Sequence, residues 1–222
     1  MQNSCGWDEI GFLDYAKEHI KNPNPVLLDC GFNLGDFTEV WLQKFGNNAC
    51  SIGFEPITEI YDISVRKFAE FNGVIINNVG LFNEIVHRKK FYYLQDGMSG
   101  CSSIFNRPVY KKFVVKEIEV ELITLDCIRD TLPKIDYFKV DVEGGELFVF
   151  QGADKFLNED PPSFIQFEYG STNQDSKTTG KQIVEFLNNK GYDVFDKNLK
   201  PTSPSTFLEN YDLTNYLAVL RE

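Results

Sequence analysis

The chain has 222 residues, 42% of them hydrophobic, and a formal charge of −11 from 22 basic and 33 acidic side chains. That length and composition describe a globular chain long enough for one α/β domain with a substantial core, and the acidic balance excludes a phosphate-backbone partner, which requires a basic surface. No apolar run reaches membrane-spanning length, MQNSCGWDEI lacks a leader pattern, and the five cysteines include no C-x-x-C pair, so a cytoplasmic, reducing setting without membrane insertion is expected.

In chain order, residues 7–20 place Ile10, Leu13, Tyr15 or Ala16, and Ile20 at helical spacing before NPNP stops the helix. VLLD at 26–29 reads as a buried strand. DFTEVWLQKFG puts Phe37, Val40, Trp41 and Phe45 on one helix face, with Asp36 and Glu39 as a capping box and Gly46 as the stop. CSIGFEP is the second strand, a helix covers about 58–72, and GVIINN is the third strand. Cys30 and Cys50, beside these strands, are expected in the core. From about 85 to 123 a β-rich insertion is expected, with KKFYYL and FVVKEIEVELI as hairpin strands around a polar loop. IDYFKVD is the fourth strand, GELFVFQGADKFL a helix and PSFIQFEY the fifth strand. TGKQIVEFLNNKG is a helix ended by its lysine and glycine, and YDVFD and LTNYLAVLR close the sheet. The alternation predicts a single α/β domain over 1–222, with seven core strands and five or six helices.

The first strand ends in Asp29 and runs into Gly31-x-Asn33-x-Gly35 and a helix, an arrangement that brings backbone N–H groups and a helix N-terminus to a cofactor. Gly31 and Gly35 permit close approach, and Asn33 tolerates a left-handed conformation. A dinucleotide fingerprint would need glycine where Asn33 and Asp36 stand, and Asp36 would face a pyrophosphate with like charge, so NAD is disfavoured. Glu55 ends the second strand, where a carboxylate can accept both hydroxyls of a ribose. Asn77 and Asn78, at the end of the third strand, could address an adenine edge, or serve as turn residues. A ribose-bearing ligand without a pyrophosphate is indicated.

KVDVEGGEL places Asp141 and Glu143 at the carboxyl end of the fourth strand, and Glu168 ends the fifth. Three carboxylates converging there would repel one another unless a cation, a shared proton or a substrate hydroxyl intervenes. Glu143 either joins them or caps the next helix, and Glu146 is expected to face water. His19 is expected at the surface. His87 is a weaker candidate base, and GMSGCSSIF (97–105) is a loop that either covers a ligand or stays free.

LLDCGFNLGDFT, IGFEP, ITLD, IDYFKVDVEGGELFVFQGA and FIQFE, taken in that order from about Leu27 to Tyr169, resemble the FkbM family of S-adenosylmethionine-dependent methyltransferases, KVDVEGGEL being the most specific piece. Two departures stand out: Phe32-Asn33 where alanine-asparagine is usual, and Gly145 where alanine is usual. Neither removes a polar group. The resemblance implies a Rossmann-like class I methyltransferase fold whose last strand inserts antiparallel into a mostly parallel seven-stranded sheet with helices on both faces. It implies S-adenosylmethionine as cofactor, with its amino-acid end against Gly31–Gly35 and its ammonium near Asp29. It implies a sugar or glycan hydroxyl as acceptor. Asp141 would then be the general base, or with Glu168 and Glu143 the ligand of Mg2+ or Mn2+. An NAD-dependent sugar-modifying enzyme and an inactive cofactor-binding module are the competing readings.

Overall fold

The computed structural model describes residues 7–95, 98–207 and 212–221. Helix α1 (Trp7–His19) precedes two strand–helix units and a third strand: β1 (Val26–Cys30), α2 (Asp36–Phe45), β2 (Cys50–Phe54), α3 (Thr58–Lys67) and β3 (Val74–Asn77). β1, β2 and β3 pair in parallel. β4 (Gly80–Leu81), β5 (Val86–Leu94) and β6 (Val115–Ile123) then form a separate three-stranded sheet, with β5 and β6 as the expected hairpin. The chain returns through β7 (Tyr137–Val140), α4 (Glu146–Gly152), α5 (Asp154–Glu159), β8 (Phe164–Tyr169), α6 (Ser171–Ser176), α7 (Gly180–Asn189), β9 (Tyr192–Phe195), β10 (Pro201–Thr202) and β11 (Thr214–Leu220).

The main sheet runs β3-β2-β1-β7-β8-β11-β9-β10, seven core strands plus the two-residue β10 at one edge. β11 lies between β8 and β9 and is antiparallel to both, as the resemblance implies. Strand order reverses between β1 and β7, so a crevice opens outside their carboxyl ends. Alternation along each strand divides the core. Leu28, Phe138, Val140, Ile165 and Phe167 pack beneath α4, α5 and α7, whereas Leu27, Tyr137 and Leu217 pack beneath α1 and α2 with Trp41. Cys30 is in the core as expected, and Cys50 is only half-buried.

Three local expectations are corrected. The Asp36–Glu39 capping box does not form: Gly35 is the N-cap at φ +73, and a β-carbon there would strike the Phe32 and Phe68 rings. Asp36 and Glu39 instead pair with Lys67 of α3, each at 3.0 Å. The helix expected over about 58–72 ends at Lys67. The helix expected from GELFVFQGADKFL breaks at Ala153, where the Asp126 carboxylate accepts the Lys155 and Phe156 N–H groups at 3.0 and 2.9 Å and starts α5 afresh. α7 is capped reciprocally by Thr179 and Gln182 and followed by Gly191 at φ +91. Among the described residues no helix is long and apolar enough to cross a membrane.

Candidate active site

The chain leaves β1 through a turn whose main chain is locked to both neighbouring strands. Phe32 N–H donates to the Phe54 carbonyl at 3.0 Å, and Asp141 N–H donates to the Cys30 carbonyl at 3.0 Å. Gly31 sits at φ +86 against the Asp141 carbonyl, and Asn33 at φ +47 is left-handed as expected. Asn33 N–H donates to Glu55 Oε2 at 2.8 Å, and Ile57 N–H donates to Glu55 Oε1 at 2.8 Å. Glu55 is therefore fixed by the backbone of the turn and of its own loop, and each oxygen keeps a lone pair for a further donor. Burial pushes its carboxyl up to about 7 against the pull of those two N–H groups.

A crevice opens above this turn, and Gly31, Asn33, Glu55, Asp141 and Glu143 are among its walls. The insertion closes it. Ser99, Gly100, Ser102 and Ile104 line it, Ser99 Oγ donates to Asn33 Oδ1 at 2.8 Å, and Ser103 Oγ donates to the Glu143 carbonyl at 2.8 Å. The expected 97–105 loop thus borders the crevice through these residues, while Gly97 lies outside the described residues.

Two expected cofactor residues are placed differently. Asp29 lies under the turn, not at the crevice wall. It is fully buried, accepts the Thr38 hydroxyl at 2.7 Å and lies 3.9 Å from the Lys139 ammonium, because its strand position points it toward α2. Asn78 spends its amide on the chain itself, donating to the Glu55 carbonyl at 3.0 Å and accepting from Thr58 at 2.9 Å. Asn77 likewise donates to the Gly53 carbonyl at 3.1 Å.

At the tips of β7 and β8, one carboxylate oxygen each from Asp141, Glu143 and Glu168 lies within 4.8 Å of the others. Asp141 receives Lys139 Nζ at 3.2 Å. Glu143, left-handed at φ +55, receives Arg107 Nη1 at 2.9 Å, and Arg107 also holds Asp175 at 3.2 Å. Among the described residues Glu168 Oε2 is buried with no hydrogen-bond partner. Burial, together with the Asp141 charge, holds the Glu143 and Glu168 carboxyls well above the usual carboxylate range, which outweighs the guanidinium beside Glu143. The donors are all oxygens, a set that suits magnesium or manganese better than zinc.

Glu146 does not face water. It is fully buried, accepts the Val142 and Gly144 N–H groups at 3.2 and 3.1 Å and Asn173 Nδ2 at 2.8 Å, and so staples the turn that carries Asp141 and Glu143. His19 is exposed and stacked on Tyr15. His87 is exposed on the hairpin, 3.8 Å from Glu121, and is not among the residues that line the crevice. Lys139 and Arg107 are not singled out by the sequence reading. A lysine inside the apolar run YFKV is the signal for the first, whereas Arg107 gives none, because its partners are 36 and 68 residues away.

This geometry has counterparts among known proteins. A family model described as methyltransferase FkbM domain matches residues 29–194. The chain belongs to the FkbM methyltransferase family. Methyltransferase sdnD of Sordaria araneosa is 27% identical over 214 residues, covering 82% of this chain and 80% of its own. The crystal structure of methyltransferase FkbM from Methylobacillus flagellatus superposes with a TM-score of 0.54 at 14% identity over 88% of this FkbM-family chain, which spans only 44% of that protein's length. An O-methyltransferase from Bacillus cereus, solved in complex with SAH, superposes with a TM-score of 0.52 at 11% identity over 100% of this chain and 84% of its own. The fold is that of the class I methyltransferases.

Proposed function

We propose that this FkbM-family protein transfers the methyl group of S-adenosylmethionine to a hydroxyl of a sugar, on a glycan or a glycosylated metabolite. The observation that carries this reading is the juxtaposition, at one switch point, of a backbone-fixed Glu55 at the β2 tip with Asp141, Glu143 and Glu168 at the β7 and β8 tips. The first matches a ribose and the second a hydroxyl that must lose its proton.

In this reading the turn from Gly31 to Gly35 presents its backbone to the amino-acid end of the cofactor, and Glu55 accepts the ribose hydroxyls. Asp29 supports the turn from beneath, and Asn78 holds the end of β3. The acceptor oxygen attacks the methyl carbon, the carbon–sulfur bond breaks, and its electron pair stays on sulfur as neutral S-adenosylhomocysteine leaves. Asp141 takes the acceptor's proton. Alignment of the two reactants supplies much of the acceleration, which is the use of a crevice closed by the insertion. Where Mg2+ or Mn2+ is bound, Asp141 and Glu168, with Glu143, would hold it, and it would lower the acceptor hydroxyl's pKa as a Lewis acid.

An array of glycosides incubated with methyl-labelled S-adenosylmethionine and read by mass spectrometry tests the reaction directly. Labelled product on a sugar hydroxyl is expected, and Asp141→Asn should abolish it while S-adenosylhomocysteine still binds. Chelation followed by metal return separates two uses of the cluster: loss and recovery of turnover assign it to the cation, and no effect leaves Asp141 as a metal-free base. Calorimetry with NADH and S-adenosylhomocysteine tests the NAD alternative, which fails if only the latter binds.

A further inference from the structure

Strand β7 is buried along its whole length, and a lysine inside it carries the cost of dehydrating an ammonium group. Lys139 is only 4% exposed. It stands in register with Asp29 of β1 on one side and Gln166 of β8 on the other, on the sheet face covered by α1 and α2. Its Nζ lies 3.2 Å from Asp141 Oδ2, 3.9 Å from Asp29 Oδ1 and 5.3 Å from the centre of the Phe37 ring.

Behind Asp29 the hydrogen bonds have a forced direction. The Thr38 hydroxyl donates to Asp29 at 2.7 Å, and because it has one proton it must accept at its other contact, so Ser51, 2.8 Å away, donates to Thr38. Ser51, Thr38 and Asp29 are all fully buried. The chain thus runs from β2 through α2 and β1 into the Lys139 ammonium, and it ends on the one carboxylate of the series that reaches the crevice wall. The Asp141 main chain is already fixed by its bond to Cys30. What the ammonium adds is control of the side chain.

The geometry points to Lys139 as a positioning residue that holds the Asp141 carboxylate at the crevice wall and ties it to the strand beneath the cofactor turn. This inference rests on the assignment of proton removal to Asp141. Lys139 lies beneath the crevice and acts through Asp141, so its loss should affect turnover far more than cofactor affinity.

The test compares Lys139→Met and Lys139→Arg with the native protein in three ways: crystal structures, calorimetry with S-adenosylhomocysteine, and turnover of the best acceptor from the glycoside array. Lys139→Met should bind S-adenosylhomocysteine within about threefold of the native protein while its Asp141 carboxylate turns from its native position. Its kcat should fall on the order of 100-fold at little-changed KM for S-adenosylmethionine, the cost of a small misplacement at the reacting centre. Lys139→Arg should restore the carboxylate position and much of kcat. An unmoved Asp141 in Lys139→Met, a kcat close to native, or equal losses in both variants overturns the inference. Should Lys139→Met not fold, Thr38→Val loosens the same chain without removing a charge, and an unchanged kcat in that variant overturns it too. Failure of the native protein to bind S-adenosylhomocysteine or to methylate any glycoside would instead count against the proposed function, and the Asp141 position in crystals of the variants would still decide the part played by Lys139.

Discussion

A methyl group added at Gly31 would meet the Asp141 carbonyl oxygen at 1.8 Å, and φ there is +86. Gly31→Ala therefore has to push apart the two strands between which the crevice opens. We expect the variant to lose S-adenosylhomocysteine affinity by more than about tenfold and stability by about 1–3 kcal/mol, read by calorimetry and urea unfolding. Glu55 sets a second prediction. Its carboxyl lies at about 7, and only the ionised form accepts ribose hydroxyls on both oxygens. Affinity for S-adenosylhomocysteine should therefore rise as pH increases through 7, level off above it and be accompanied by proton release. Glu55→Gln should bind weakly with no such rise; a pH-independent native affinity would remove Glu55 from the ribose. Both residues are legible in the sequence, because a strand-end glycine and a strand-end acid are local patterns. Asp29 and Asn78 are legible only as positions. Which way each side chain points depends on partners, Thr38 and Thr58, that no local pattern reveals.

Among elements, the β5–β6 hairpin is joined to the site by few side chains, and Arg107 is the strongest of them. It pairs with Glu143 and Asp175 and leans on the Tyr110 ring. Arg107→Met leaves the Glu143 carboxylate buried without its cation. Because the guanidinium borders an open groove, the expected loss is about 2 kcal/mol, below the ~3–5 kcal/mol of a fully enclosed pair. Hydrogen exchange should quicken at Tyr92 and Ser103, whose backbones pair across the loop, and not in β1 or β7. Equal exchange throughout the variant would show that the hairpin is held by its apolar contacts alone. The hairpin itself is visible in sequence as two alternating runs, and the α/β alternation likewise predicts the core strands. Short elements that depend on distant partners escape: β4 exists by pairing with β6, β10 by pairing with β9, and α5 by the cap from Asp126. Glu146 fails for the opposite reason, since a helix-start glutamate ordinarily faces water and here the turn closes around it.

For the whole molecule, the acids buried near the site reverse the usual effect of alkali. Burial raises both Glu55 and Glu146 to about 7. With folded values above the unfolded ones, these two groups bind more protons in the native state between roughly pH 4.5 and 7, so stability falls as pH rises through that window, and Glu143 and Glu168, held higher still, carry the decline past pH 7. Urea midpoints measured from pH 5 to 8 should decline without ligand, by an amount on the order of a few kcal/mol in unfolding free energy. A midpoint that climbs over this range would contradict the burial of these two acids.

The wedge of β11 between β8 and β9 has a consequence for biosynthesis. When β8 emerges from the ribosome, the edge it offers to residues 214–220 stays open until some 45 further residues have been made, and its Phe164–Tyr169 run is sticky in the meantime. The newborn chain must therefore wait, half-zipped, for its seventh core strand. Messages truncated ahead of Thr214 should yield insoluble product even though every residue of the crevice has already been translated.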